Sequence, residues 1–104
     1  MNGSADKFKS MIGFAKRSGK IAYGLDTVKS AKKLYMLAVS DTASKNLTDN
    51  MITVARRRSI PLLRVPELES IVGNNCKALG ISNADMTSCI MNYVKSGESE
   101  YSLL

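Results

Sequence analysis

The fold of this chain is decided by an uninterrupted apolar run, Leu34-Tyr35-Met36-Leu37-Ala38-Val39. A strand that is covered on one face alternates apolar and polar residues, whereas a strand buried on both faces is apolar throughout. The run therefore predicts a central strand with helices packed on both sides of its sheet. The next segment, Ser40-Asp41-Thr42-Ala43-Ser44, is typical of a loop that ends in a helix N-cap.

Helical and extended patterns alternate on both sides of this run. Apolar residues at helical spacing predict helices over about Ala5–Ser18, Leu25–Lys32, Leu47–Arg58, Glu67–Val72 and from Asn83 to just before Gly97. Short apolar strings predict three further extended segments: Ile21–Tyr23, Ile60–Val65 and Ala78–Ile81. This alternation predicts an α/β fold, a three-layer α-β-α sandwich with a small mixed sheet. We expect one domain over residues 1–104, with Pro66 at the first position of its helix and a loose tail from about 96 to 104.

Composition argues against most kinds of chemistry. The 104 residues include no histidine, which removes Ser-His-Asp and Cys-His catalysis and every His-ligated zinc site. Two cysteines, Cys76 and Cys89, are expected to be reduced and buried rather than joined or metal-bound. No phosphate-binding glycine motif occurs, and no apolar stretch is long enough for a signal peptide or a membrane span. We expect a cytoplasmic protein that is not an enzyme, with no metal, cofactor, small-molecule substrate or membrane partner.

Charge is the first positive indication of a partner. The formal net charge is +6, and the excess lies entirely in residues 1–33, which hold eight basic and two acidic side chains, whereas residues 34–104 hold seven of each. A local basic field suits a polyanion, because neutralising phosphates releases condensed counterions. A basic helix that is solvated and serves only solubility explains the same charge equally well.

Several strings, in their order and spacing, resemble one known family. Residues 12–24 read IGFAKRSGKIAYG, which is similar to the helix end and following glycine of bacterial members of the kink-turn-binding ribosomal family, the L-seven-Ae/L-thirty-e family. Residues 33–44 resemble that family's second strand and the loop after it, and Ser59–Val65 resembles the strand that follows its third helix. The resemblance spans residue 7 to about 95. It implies an L-thirty-e-like sandwich that binds kinked RNA in ribosomes or other ribonucleoproteins.

The resemblance also implies which residues touch RNA. In the family, the turn before the second helix and that helix's N-terminus enter the widened groove beside sheared G·A pairs. A hydrophobic loop before the fourth helix packs on the extruded nucleotide, and that loop aligns here with Arg64-Val65-Pro66. The family glycine matches Gly24, but the archaeal Thr-Asn-Glu string is replaced by Leu25-Asp26-Thr27, and a family lysine by Ser30, with Lys29 adjacent. Lys16, Arg17 and Lys20 are expected near the same edge. The implied RNA-binding set is Lys16, Arg17, Lys20, Gly24, Leu25, Asp26, Thr27, Lys29, Lys33, Arg64, Val65 and Pro66.

Each of these residues also has a purely structural explanation. Gly24 can serve only a turn, Asp26 and Thr27 only the start of a helix, and Val65 only the end of a strand. The run Arg56-Arg57-Arg58 is best explained by the favourable placement of cations at a helix C-terminus. The changed tip leaves open an alternative function, a protein–protein adaptor that keeps the fold without standard kink-turn recognition.

Overall fold

A mixed β-sheet forms the middle layer of the protein, and helices cover both of its faces. The structure, a computed structural model, describes residues 3–73, 75–95 and 102–104. The described helices are α1 (Gly3–Arg17), α2 (Leu25–Ser30), α3 (Lys45–Arg58), α4 (Leu68–Val72) and α5 (Ala84–Lys95). The described strands are β1 (Ile21–Tyr23), β2 (Met36–Ser40), β3 (Leu62–Val65), β4 (Ala78–Ile81) and β5 (Ser102–Leu103).

The order of the strands across the sheet is β1-β4-β2-β3-β5. Strands β2 and β3 are parallel, with Leu37 beside Leu62 and Ser40 beside Val65, while the other neighbouring pairs are antiparallel. All five residues of β2 are buried, as expected of a strand with a helical layer on each face. The predicted three-layer α-β-α sandwich with a mixed sheet is therefore confirmed.

Alternate side chains of the strands feed two separate hydrophobic cores. One core lies under α1, α4 and α5 and includes Phe8, Ile12, Leu68 and Ile90. The other lies under α2 and α3 and includes Val28 and Met51 from those helices, with Leu37 and Val39 from β2. Burial of each such side chain contributes about 1.5–3 kcal/mol, so both helical layers are held by apolar contact.

Polar residues cap the starts of two helices, and glycines follow the ends of two others, at positions that the sequence predicts. The Ser44 hydroxyl accepts the Leu47 N–H at 3.1 Å, and the Asn83 side-chain oxygen accepts the Met86 N–H at 2.8 Å. Gly19 follows α1 with φ 69°, and Gly73 follows α4 with φ 73°. Left-handed backbone of this kind is the usual way to stop a helix.

Besides shifts of about two residues, such as α2 ending at Ser30 instead of Lys32 and β3 beginning at Leu62 instead of Ile60, three local predictions differ from the structure. Residues 102–104 are not loose: β5 pairs with β3, and the Leu104 N–H donates to the Leu62 carbonyl at 2.9 Å, whereas residues 96–101 lie outside the described residues. Pro66 is not the first residue of α4, because Glu67 adopts a left-handed conformation with φ 48° and the helix begins at Leu68. The cysteines are free as predicted, but Cys89 is exposed and Cys76 is only partly buried.

Candidate functional site

The strand register sorts the loops to two opposite ends of the sheet. Backbone hydrogen bonds from Gly24 to Ala78, from Ser40 to Lys77 and from Asp41 to Val65 define one end, which we call the Gly24 end. Those from Ser82 to Lys20, from Tyr35 to Ile81 and from Leu37 to Pro61 define the other, the Lys20 end. The two ends are on the order of 13 Å apart along β1, at about 3.3 Å per residue.

The turn between β1 and α2 is built on Gly24. Its backbone has φ 85° and ψ 159°, a conformation that side chains rarely allow, and no side chain caps the helix that follows. A Cβ at this position would meet nothing within 4 Å, so glycine is needed here for its backbone conformation and not for lack of room. The space next to Gly24 is open. Asp26 and Thr27, in the first turn of α2, are exposed beside this space.

A carboxylate ties the β2–α3 loop to α4 at the same end. The Ser40 and Thr42 hydroxyls donate to the two oxygens of Glu69, at 2.6 and 2.5 Å. These two bonds are the main reason that the pKa of Glu69 is lowered to about 2, with a smaller contribution from the charge of Lys77. Ser40 is only 2% exposed, so the carboxylate also accepts a hydrogen bond from a buried hydroxyl.

A second contact fixes the β3–α4 loop. The Asp41 carboxylate accepts the backbone N–H of Glu67 at 2.9 Å, and Glu67 holds a left-handed conformation. A non-glycine residue in that region is uncommon and is maintained by its surroundings. The β2–α3 loop is therefore joined both to the β3–α4 loop, through Asp41, and to α4, through Thr42.

The predicted hydrophobic contact surface of this loop is only partly present. Val65 is fully buried in the core under α1, α4 and α5, so its structural explanation is the one that the geometry favours. Pro66 is half-buried and Arg64 is exposed. Leu25 is half-buried and packs on the core under α2 and α3. Among the predicted tip residues, Gly24, Asp26, Thr27 and Arg64 remain available at the Gly24 end.

The predicted lysines do not gather with these residues. Lys16 donates its ammonium to the Val72 carbonyl at 3.0 Å, at the C-terminal end of α4. Lys20 lies at the opposite end from Gly24, contrary to expectation, because its carbonyl accepts the Ser82 N–H. Lys33 precedes β2 and also lies at the Lys20 end. Arg17 is the last residue of α1 and lies near the same end.

A groove between α2 and α3, which the sequence did not indicate, opens toward the Lys20 end. It has a volume of about 360 Å³ and is lined by Lys29, Asn50, Thr53, Val54, Arg57 and Arg58. Arg58 donates to the carbonyls of Val28, Lys29 and Ala31, and thereby caps the C-terminus of α2 rather than its own helix. A long-range contact of this kind leaves no pattern in the sequence near Arg58.

The described residues carry few features of other functional classes. No group of three His, Cys, Asp or Glu side chains among residues 3–73, 75–95 and 102–104 is placed to hold a metal ion. No helix in that part of the chain is long and apolar enough to cross a membrane. A shallow apolar hollow between α1 and α5, lined in part by Phe14 and Cys89, lies on the face of the sheet opposite to α2 and α3.

Comparisons with known proteins bear on the fold. No family model and no curated protein matches the chain. Among solved structures, it is similar to one described as a protein with unknown function from Bacillus halodurans C. The two share 18% sequence identity with a TM-score of 0.77, over 86% of this chain and 97% of the other. The α-β-α sandwich is thus a fold seen in an experimentally solved protein.

Proposed function

We propose that the protein binds structured RNA of the kinked, kink-turn-like kind, as a ribosomal or ribosome-associated component in the cytoplasm. The observation that carries the proposal is the meeting of three loops at the Gly24 end: β1–α2, β2–α3 and β3–α4. Open α/β sheets bind ligands at the carboxyl ends of their parallel strands, and the Gly24 end is that end for β2 and β3. The role is binding alone, with no catalytic step and no cofactor.

The first turn of α2 supplies the groups that would enter the RNA. Gly24 lets the backbone approach closely, and the exposed side chains of Asp26 and Thr27 follow it. Side chains cannot read the deep, narrow major groove of regular A-form RNA, so recognition targets bulges and internal loops that open it. A short, protruding helix start suits such an opened groove.

The contacts of Asp41 and Glu69 also support RNA binding at the Gly24 end. They hold the β2–α3 loop against the β3–α4 loop and against α4 before any ligand arrives. A surface whose loops are already ordered loses less conformational freedom on binding and therefore binds more tightly.

Asp26 determines which RNA this surface prefers. A carboxylate only accepts hydrogen bonds, so it suits the amino groups of cytosine or adenine and not the acceptor edge of guanine. The family Asn both donates and accepts. We therefore expect the preferred RNA to share the kinked backbone of a kink-turn but to differ in the base pairs beside the kink.

A gel-shift titration tests the proposal against a panel of kink-turn, three-way-junction and plain duplex RNAs, each at several salt concentrations. Binding should favour the kinked RNAs and should weaken as salt rises. The log–log slope should correspond to roughly 3–5 neutralised phosphates, at about −0.7 to −0.9 per contact. Absence of binding at low salt, or binding that ignores salt, would contradict RNA binding and favour the protein–protein adaptor.

A further inference from the structure

The basic groove between α2 and α3 stands apart from the proposed recognition surface. Its three charged lining residues are Lys29, Arg57 and Arg58, and no acidic side chain lines it. The Lys29 and Arg57 side chains form no ion pair and no hydrogen bond with the described residues; the salt bridge described in α3, Lys45–Asp49, lies toward the start of that helix. Two cations held in one groove without counter-charges leave a positive field that an anion would neutralise.

Arg58 gives this groove a fixed shape. Its guanidinium binds three carbonyls at the end of α2 and is partly buried, so it joins the C-terminal halves of α2 and α3. The end of a helix carries a partial negative charge that would repel an anion. Because Arg58 neutralises that charge, the groove stays positive although it lies beside a helix C-terminus.

The remaining lining residues decide what kind of anion fits. Asn50 offers an amide donor, whereas the Thr53 hydroxyl donates to the Asp49 carbonyl at 3.1 Å and so can only accept. A guanidinium, an ammonium and an amide together match the oxygens of a phosphodiester. The open, exposed form of the groove suits a chain that passes along it. Three further exposed basic residues, Lys32, Lys33 and Arg56, are close to the lining residues in the chain.

We propose that the α2–α3 groove, with Lys29 and Arg57 as cations without partners among the described residues and Arg58 as its fixed cation, binds the phosphodiester backbone of an RNA strand. The inference rests on the proposed function, because it names a second surface for the same RNA. The Gly24 end selects the RNA, and the groove supplies affinity without reading bases, as phosphate contacts do. An RNA that kinks about the tip of α2 presents a second strand segment to the side of that helix.

The test measures RNA affinity across salt for the full chain and three variants: Arg57→Gln, Lys29→Gln with Arg57→Gln, and Lys9→Gln. Lys9 is an exposed cation on α1, outside the groove. Its substitution by Gln removes one positive charge, as Arg57→Gln does. We expect Arg57→Gln to lower the salt slope by about 1 and the double variant by about 2, with affinity for every RNA in the panel falling by similar factors. Lys9→Gln should leave both quantities close to those of the unaltered chain.

The outcomes separate the groove from the proposed function. If the unaltered chain binds kinked RNA and the groove variants match Lys9→Gln, the groove proposal is wrong and the proposed function stands. If the groove variants change which RNA is preferred, the groove reads bases and the proposal is equally wrong. Should the chain bind no structured RNA, titration of the ¹⁵N-labelled protein with a uridine octanucleotide decides. Shifts of the Lys29, Asn50 and Arg57 amides would support the groove, whereas unmoved amides, or a preference for anionic lipid vesicles, would overturn it.

Discussion

Two pairs of charged side chains, one at each end of the sheet, differ in whether they bind other groups of the protein. At the Gly24 end, the carboxylates of Asp41 and Glu69 bind hydroxyl and backbone donors of neighbouring loops, which fixes those loops. At the Lys20 end, Lys29 and Arg57 face solvent without partners among the described residues. Of the three cations that line the α2–α3 groove, Arg58 is the one that donates hydrogen bonds to described residues. The surface with fixed loops, the Gly24 end, is therefore separate from the surface with free cations, the α2–α3 groove, although the sequence suggested a single surface.

Loss of Arg58 should have the largest effect on stability. Arg58→Ala leaves three carbonyls at the end of α2 without their charged donor, and hydrogen bonds to charged groups contribute about 1.5–3 kcal/mol. We expect the free energy of unfolding, measured by urea denaturation, to fall by about 2–3 kcal/mol. Arg57→Ala is the matched control and should change it by less than about 0.5 kcal/mol. Equal losses for the two variants would mean that the cap contributes nothing beyond surface charge.

Restoring the family's Asn and Glu at positions 26 and 27 tests the Gly24 end independently of the groove. Asp26→Asn with Thr27→Glu replaces an acceptor-only anion by an amide that can bind guanine, so affinity for a standard kink-turn with sheared G·A pairs should rise. The gain should be about 1–3 kcal/mol for one restored bidentate contact, measured by titration at fixed salt. Stability should hardly change, because both positions lie in the first turn of α2. A double variant that folds normally and still ignores the kink-turn would remove kink-turn specificity from the proposal.

Acid should weaken the contact that Glu69 makes with β2 and the β2–α3 loop at the Gly24 end. The pKa of Glu69 is about 2, well below its ordinary 4.5, so ionised Glu69 stabilises the fold above about pH 4.5, and that contribution is lost as pH falls toward 2. Because the carboxylate is only partly buried, we expect about 1–2 kcal/mol at neutral pH. Glu69→Gln should therefore be less stable than the unaltered chain at pH 7, with the gap closing near pH 2. Glu67→Gln, which keeps the backbone contact to Asp41, should match the unaltered chain at pH 7.

The sequence predicted the elements better than the way they meet. The apolar run of β2 and the caps Ser44 and Asn83 leave local patterns, since spacing and residue type alone produce them. Strand β5 has only two residues and no such pattern, so its pairing with β3 could not be foreseen. The position of Lys20 depends on the register of β1 against β4, which no local string records.

The candidate site shows the same limit. The sequence resemblance drew attention to Gly24 and Asp26, which the structure leaves accessible at one end of the sheet. It also included Val65, which is buried, because an apolar residue at a strand end looks the same whether it faces the core or a ligand. The groove was missed since Lys29 and Arg57 are 28 positions apart in the chain and are joined only by the packing of α2 on α3.

The central claim is that one RNA contacts both ends of the sheet, the Gly24 end by shape and the α2–α3 groove by charge. Its most direct test is an amide chemical-shift map of the ¹⁵N-labelled protein with a kink-turn RNA, recorded at two salt concentrations. We expect perturbed amides at Gly24, Asp26 and Thr27 that persist at the higher salt concentration. The perturbed amides of Lys29, Asn50 and Arg57 should instead recover toward their free positions. Perturbations confined to the α1–α5 face, or no change at Gly24, Asp26 and Thr27 at either salt concentration, would contradict it.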